Sequence, residues 1–160
     1  MRIRRTARLL LFSPVGRLLL VKFEDDAIAE ATGWWATVGG EMEVDEDFIA
    51  AARREAFEET GLADLTLGPV VWTGEQVLTL RGEPTRFIET FVVGRANSEA
   101  LSDAGWTEDE RRTIREMRWW TPAEIAASEE TIFPAILRGR LLADIAEGRY
   151  PSSTLTVDLA

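Results

Sequence analysis

Three glutamates, Glu55, Glu58 and Glu59, stand at positions i, i+3 and i+4. At about 100° per residue, a helix gathers them into an arc of roughly 100°. Carboxylates grouped in this way suit two kinds of chemistry. They can hold a divalent cation through hard oxygen ligands, and they can take a proton from an attacking water. The grouping is unfavourable on its own: like charges at these spacings cost about 0.2–0.5 kcal/mol per pair when exposed. The cost grows where the local dielectric falls. Only Arg54 is placed nearby in sequence to offset them. A cation such as Mg²⁺ removes the conflict, because it accepts a few carboxylates together with water and substrate phosphate. On spacing alone, a plain solvated acidic face stays open as the alternative.

The element that must carry these glutamates is a helix over Asp47–Thr60. Asp45 or Asp47 caps it, acids populate its first turn, and Gly61 ends it in a left-handed conformation. Phe48, Ile49, Ala52 and Ala56 form an apolar stripe beside the carboxylates, so the acids border the face that packs on the protein. The surroundings are acidic as well. Gly40–Leu62 holds eight acids against two arginines, a net −6, out of −10 for all 160 residues.

Composition removes many other chemistries. The chain has no Cys and no His. Thiolate nucleophiles, Cys- or His-ligated metals and Ser-His-Asp hydrolysis are therefore excluded. Carboxylates, hydroxyls, arginines, the single Lys22 or a bound ion remain. The acidic balance argues against polymeric nucleic acid, whose affinity comes mainly from Lys and Arg on phosphate. No apolar run reaches the ~20 residues of a membrane span, and the basic N-terminus followed by a short apolar run is not a signal peptide. The protein reads as cytoplasmic.

The remaining elements alternate. Ala7–Phe12 and Leu18–Phe23, joined by Ser13-Pro14-Val15-Gly16, read as a β-hairpin. Trp34–Val38 is a short strand stopped by Gly39-Gly40. Leu65–Leu80 holds one or two strands broken at Gly68-Pro69 and near Gly74. Arg81–Pro84 is a turn and Arg86–Arg95 a strand. Glu110–Glu116 is a short helical turn and Met117–Trp120 a last strand. Thr121-Pro122-Ala123-Glu124 opens a helix with a capping box, and Phe133–Glu147 is a second amphipathic helix. Residues 151–160 form a tail whose order the sequence leaves open. One α/β domain over residues 1–150 results.

Gly40, five residues, Glu46, seven residues, then Arg54-Glu55-Ala56-Phe57-Glu58-Glu59-Thr60-Gly61-Leu62 resembles the Nudix box, G-x5-E-x7-R-E-U-x-E-E-x-G-U. Two positions depart from it. Ala56 stands where a larger aliphatic is usual, and Asp45 where glycine often precedes the box glutamate. The resemblance implies an α/β/α sandwich with a mixed central sheet. It also implies a Mg²⁺-dependent pyrophosphohydrolase, Mn²⁺ being a substitute, of the MutT-like kind. Such an enzyme cleaves a nucleoside triphosphate or a nucleoside diphosphate-linked small molecule by metal-activated water. Residue by residue, Glu55, Glu58 and Glu59 match the metal-binding glutamates, and the Gly39 carbonyl matches the backbone ligand. Glu46 and Arg54 match a pair that ties the loop to the helix.

Relatives differ in their base. Some use a box glutamate and others one from a later loop; outside the box Glu116 ranks first, then Glu110 and Glu89. For substrate contacts Trp35 and Arg86 are the candidates, with Lys22 beside them. In the pairs Trp34/Trp35 and Trp119/Trp120, strand alternation sends one ring of each to the core. Leu78 fills the neighbourhood where some relatives carry a substrate-linked proline or tyrosine. Relatives are often dimers, so a homodimer is one open assembly. Two other readings stand beside the enzyme. One is a catalytically silent Nudix-fold nucleotide-binding or regulatory module, though such members usually lose box residues. The other is calcium binding by Glu43–Asp47, which lacks the glycine and ligand spacing of an EF-hand.

Overall fold

The computed structural model describes residues Met1–Ala160. Alternation along the first strand, β1 (Arg2–Phe12), sets up two cores. Leu10 and Phe12 face one of them, and Ala7, Leu9 and Leu11 face the other. The face that ends in Leu10 and Phe12 begins with Arg2, Arg4, Thr6 and Arg8. One side of a single strand is thus basic at its start and apolar at its end.

The strand β2 (Leu18–Glu24) does not fold back along β1 as a hairpin; the two meet only at Phe12 and Leu18. Instead β3 (Gly33–Glu41) runs antiparallel to both. It pairs Val38–Glu41 with Thr6–Leu9 and Gly33–Thr37 with Leu20–Glu24. The other edge of β1 lies parallel to β5 (Glu83–Ala96), with Thr6 opposite Glu89. Leu65–Leu80 is one strand, β4, paired antiparallel to β5. Pro69 has no N–H to give the ladder, and the register shifts there, between Leu67 and Val70. Arg81 and Gly82, both at positive φ, form the two-residue turn into β5.

The helix α1 (Phe48–Thr60) is capped by Asp47, whose Oδ2 accepts the N–H groups of Ile49 and Ala50 at 3.1 and 3.2 Å. Its first turn, Phe48-Ile49-Ala50, holds no acid, because Asp47 is the cap itself. Gly61 closes it at φ 78°. Asp45, the departure from the usual glycine, sits at φ 62°. That is a left-handed position glycine fills freely and Asp tolerates.

Downstream, α2 (Glu108–Thr113) leads into β6 (Ile114–Trp120), which pairs with β2. Next comes α3 (Pro122–Ala127), opened by the capping box of Thr121 and Glu124. Phe133–Glu147 is not one helix. Pro134 and Gly139 bracket a 3-10 turn, Ala135–Arg138, between the two-residue strand β7 (Ile132–Phe133) and α4 (Arg140–Ala146). The tail is ordered: β8 (Leu155–Thr156) runs parallel to β4, and Val157 and Leu159 enter the core.

The sheet is mixed, in the order β6-β2-β3-β1-β5-β4-β8, with β7 beside β3. Helix α1 packs through Ala51, Ala52 and Ala56 on one face, while α3 and α4 bring Ile125, Leu142 and Ile145 to the other. This is the expected α/β/α sandwich. No helix is long and apolar enough to cross a membrane.

Candidate active site

The acids of α1 lie deeper than their spacing predicts. The buried face runs through Ala51, Ala52, Glu55, Ala56, Glu59 and Thr60, while Ile49 is exposed. Glu55 and Glu59 therefore belong to the packed face and do not merely border it. Small residues make this geometry affordable to the fold: Ala56 is fully buried, and a larger aliphatic side chain there would need more room between helix and sheet.

Glu59 is 2% exposed and its carboxylate accepts one hydrogen bond, from the Gly39 N–H at 3.2 Å. Burial pushes its pKa well above the ordinary carboxylate range. The charge of Arg8 opposes this, whereas those of Glu110 and Glu55 add to it. Burial also raises Glu55, against the hydrogen bond and charge of Arg54. Two desolvated carboxylates with few donors are the arrangement a cation would stabilise.

Arg54 organises the rest. Its Nε and Nη2 donate to the two oxygens of Glu46 at 2.7 and 2.8 Å, and Nη2 also reaches the Glu41 carbonyl at 3.3 Å. Its Nη1 lies between Glu55 Oε1 (2.9 Å) and Glu58 Oε2 (3.2 Å). The paired donors hold Glu46 well down, at about 2. The hydrogen bond to Glu46 likewise raises Arg54. The expected tie between loop and helix is thus made by a bidentate pair.

No three acidic side chains converge closely enough to hold an ion as they stand. Arg54 occupies Glu55 and Glu58, and Glu59 turns to Gly39. The donor set nonetheless fits Mg²⁺: three carboxylates and the Gly39 carbonyl are hard oxygen ligands. The backbone leaves space for them as well. A Cβ on Gly40 would lie 2.8 Å from the Glu55 carboxylate.

The glutamates line a groove together with Arg2, Arg4, Arg8, Trp34, Arg81 and Phe87. Arg8, Ile28, Trp34, Ala36 and Phe87 also border an adjoining cavity of about 110 Å³, completed by Leu78, Gln76, Phe133 and Pro134 among others. A buried water needs roughly 10–15 Å³ by such a measure, so the space suits a small ring. Leu78 thus sits in the cavity wall.

Several candidates fall elsewhere. Trp35 is 1% exposed in the core, edge-on to Trp120 and donating to Glu130; it is Trp34 whose ring borders groove and cavity. Strand alternation signalled that one of the pair would be core but not which. Arg86 is exposed and paired with Glu75, off the groove. Glu116 faces Arg118 on β6, opposite Lys22, and does not line the groove. Glu110 does line it. Its Oε1 accepts the Thr107 N–H in a capping box, which leaves Oε2 with no protein donor. Glu89 is buried and takes hydrogen bonds from Thr6 and Arg8. Nothing in the sequence marks Arg8, because it stands inside the apolar run Ala7–Phe12.

A model of the NUDIX domain matches residues 2–138. The chain belongs to the NUDIX family of pyrophosphohydrolases. Solved structures share this NUDIX fold. The MutT protein from Methanosarcina mazei Go1 is 22% identical, with a TM-score of 0.65 over 92% of this chain and 93% of that one. The E. coli ORF135 protein is 20% identical, with a TM-score of 0.59 over 93% and 92%. An ADP-ribose pyrophosphatase from Streptococcus suis 89-1591 is 18% identical, with a TM-score of 0.58 over 96% of each chain. No curated protein sequence matches the chain.

Proposed function

We propose that this NUDIX chain hydrolyses the pyrophosphate bond of a small nucleotide, either a nucleoside triphosphate or a nucleoside diphosphate joined to another group. The observation that carries this reading is the continuity of two chemistries. Desolvated carboxylates line a groove, and the groove shares lining residues with a cavity bordered by Trp34 and Phe87. Aromatic faces of this kind stack on a base for roughly 1–3 kcal/mol.

In this reading Glu55, Glu58, Glu59 and the Gly39 carbonyl hold Mg²⁺, with Mn²⁺ able to replace it. When bound, the ion supplies the positive charge that reconciles the acidic wall with a polyphosphate and polarises the phosphorus. The protein's own groups do the rest. Arg54 fixes Glu55 and Glu58 through Nη1 and anchors the loop through Glu46. Arg4 and Arg81, which also line the groove, attract the anionic substrate. Glu110, the acid beyond the box that lines the groove, takes the proton of the attacking water at its undonated Oε2.

Phosphate release from a panel of nucleotides with Mg²⁺ or Mn²⁺ tests the proposal. One or more nucleotides should be cleaved, and Glu58→Gln and Glu59→Gln should each lower turnover by at least roughly 100-fold with circular dichroism unchanged. Tight nucleotide binding with no phosphate release by the wild type would instead mark a silent binding module.

A further inference from the structure

Arg8 is the single basic residue that borders both the glutamate groove and the aromatic cavity. Its guanidinium is held on two sides. Nε donates to Glu89 Oε1 at 3.0 Å, and Nη1 donates to the carbonyls of Gly39 and Thr37 at 3.2 and 3.4 Å. The third nitrogen, Nη2, makes no hydrogen bond to the protein and is not sealed from solvent. Glu89 is itself fixed: it lies opposite Thr6 in the β1–β5 register, 7% exposed, and accepts the Thr6 hydroxyl at 3.5 Å.

This is a pre-oriented guanidinium with one nitrogen left free. An arginine that only balanced a buried acid would need no contact with the Gly39 carbonyl and no place at the junction of two cavities. The other arginines of the groove are differently placed. Arg4 pairs with Glu41 and lies over the Phe87 ring, and it does not border the cavity. The free Nη2 keeps two charged N–H donors for phosphate oxygens, and prior anchoring of Nε and Nη1 lowers the entropy cost of using them.

We propose that Arg8 is a substrate-binding residue, seated by Glu89, whose Nη2 takes the phosphate that joins the group in the aromatic cavity to the phosphates over the glutamates. The assignment rests on the proposed function and deepens it. It requires a ligand with a phosphate attached directly to the ring-bearing group, as in a nucleoside 5′-polyphosphate. Glu89 is then a positioning residue and not a base.

The test is calorimetric binding, in Mg²⁺, of the non-cleavable α,β-methylene analogues of ATP, GTP, CTP and UTP, alongside the four parent nucleosides. Arg8→Ala should weaken the analogue that the wild type binds best by roughly 10- to 100-fold. It should leave the affinity for the matching nucleoside, and for Mn²⁺ alone by titration, within about twofold. Arg8→Lys, which keeps the charge but loses the fork, should recover only part of the loss. It also serves as the readable variant should Arg8→Ala unfold. Glu89→Gln should raise KM for the cleaved nucleotide more than it lowers kcat. Unchanged analogue binding in both Arg8 variants overturns the assignment while leaving the hydrolase reading intact. So does a loss confined to Mn²⁺ affinity, which would make Arg8 a support of Gly39. A wild type that binds none of the analogues overturns the Arg8 assignment, while phosphate release from the wider nucleotide panel decides the hydrolase reading separately.

Discussion

Glu46 and Arg54 stand eight residues apart in sequence, and each is misread if taken alone as a surface charge. Together they form a bidentate pair, with Arg54 going on to touch Glu55 and Glu58. The pair makes acid stability a residue-level observable. Glu46 falls from 4.5 to about 2 on folding. A depressed carboxylate contributes stability that is complete above its unfolded value and disappears as pH falls through its folded one. The melting temperature of Glu46→Gln should therefore lie below that of wild type at neutral pH. The gap should close between about pH 4.5 and 2. A gap that stayed constant across that window in a thermal-melt series would show that the pair is not held by charge. At this scale the sequence reveals the box residues, because their types and spacing are the chemistry. Arg8 was hidden, Trp34 was undecided against Trp35, and Glu110 was ranked behind Glu116, because these roles come from contacts across the sheet or from which way a strand faces.

Helix α1 and strand β3 meet at two adjacent glycines whose roles differ, and the difference is a prediction about elements. A Cβ at Gly39 would lie 2.1 Å from the Ala7 carbonyl oxygen and 2.9 Å from Arg8 Cα, at φ 141°. Those are backbone atoms of a paired strand and cannot yield. Gly39→Ala should fail to fold or melt many degrees lower. A Cβ at Gly40 meets only the end of the Glu55 side chain, at 2.8 Å from its carboxylate atoms. A flexible side chain can move aside, so Gly40→Ala should cost little stability yet displace Glu55. The expected result is a melting temperature within a few degrees of wild type, with turnover reduced and the Mg²⁺ requirement raised. Equal loss of stability in both variants would argue that the β3–α1 junction is rigid throughout. The sequence marks these glycines as the end of a strand, but β3 runs through both to Glu41, paired with β1. It foretold the capped start of α1 and its glycine end, since caps are local. It erred where tertiary partners decide. The β1–β2 hairpin gave way to β3, which pairs with both strands, and the late helix gave way to Pro134 and Gly139.

For the whole molecule, the last ten residues decide how much of the chain the fold needs. β4 is the strand next to the sheet's edge, and β8 covers its open side by pairing Leu155 and Thr156 with Trp72 and Thr73. Leu159 is completely buried and Val157 nearly so, both in the core that holds Trp72 and Phe91. Leu159 Cγ lies 2.8 Å from where a Cβ on Gly74 would stand, so that glycine is what lets the tail approach β4. Burying a Leu or Val contributes about 1.5–3 kcal/mol, and an uncovered edge strand invites pairing with another chain. Truncation after Tyr150 should therefore lower stability by roughly 3–6 kcal/mol, a large part of the ~5–15 kcal/mol typical of a domain. It should also promote association, measurable as concentration-dependent scattering. The point substitution Leu159→Ala removes the contact but keeps the β8 pairing. It should cost roughly 2–5 kcal/mol without the association. A truncated chain that melted with the full-length protein and stayed monodisperse would mean that the tail rests on the domain without stabilising it. The glutamates and the aromatic cavity do not involve these residues. Whatever truncated protein remains folded should accordingly keep wild-type KM, a separation of stability from function that comparison of the two variants in one assay makes visible.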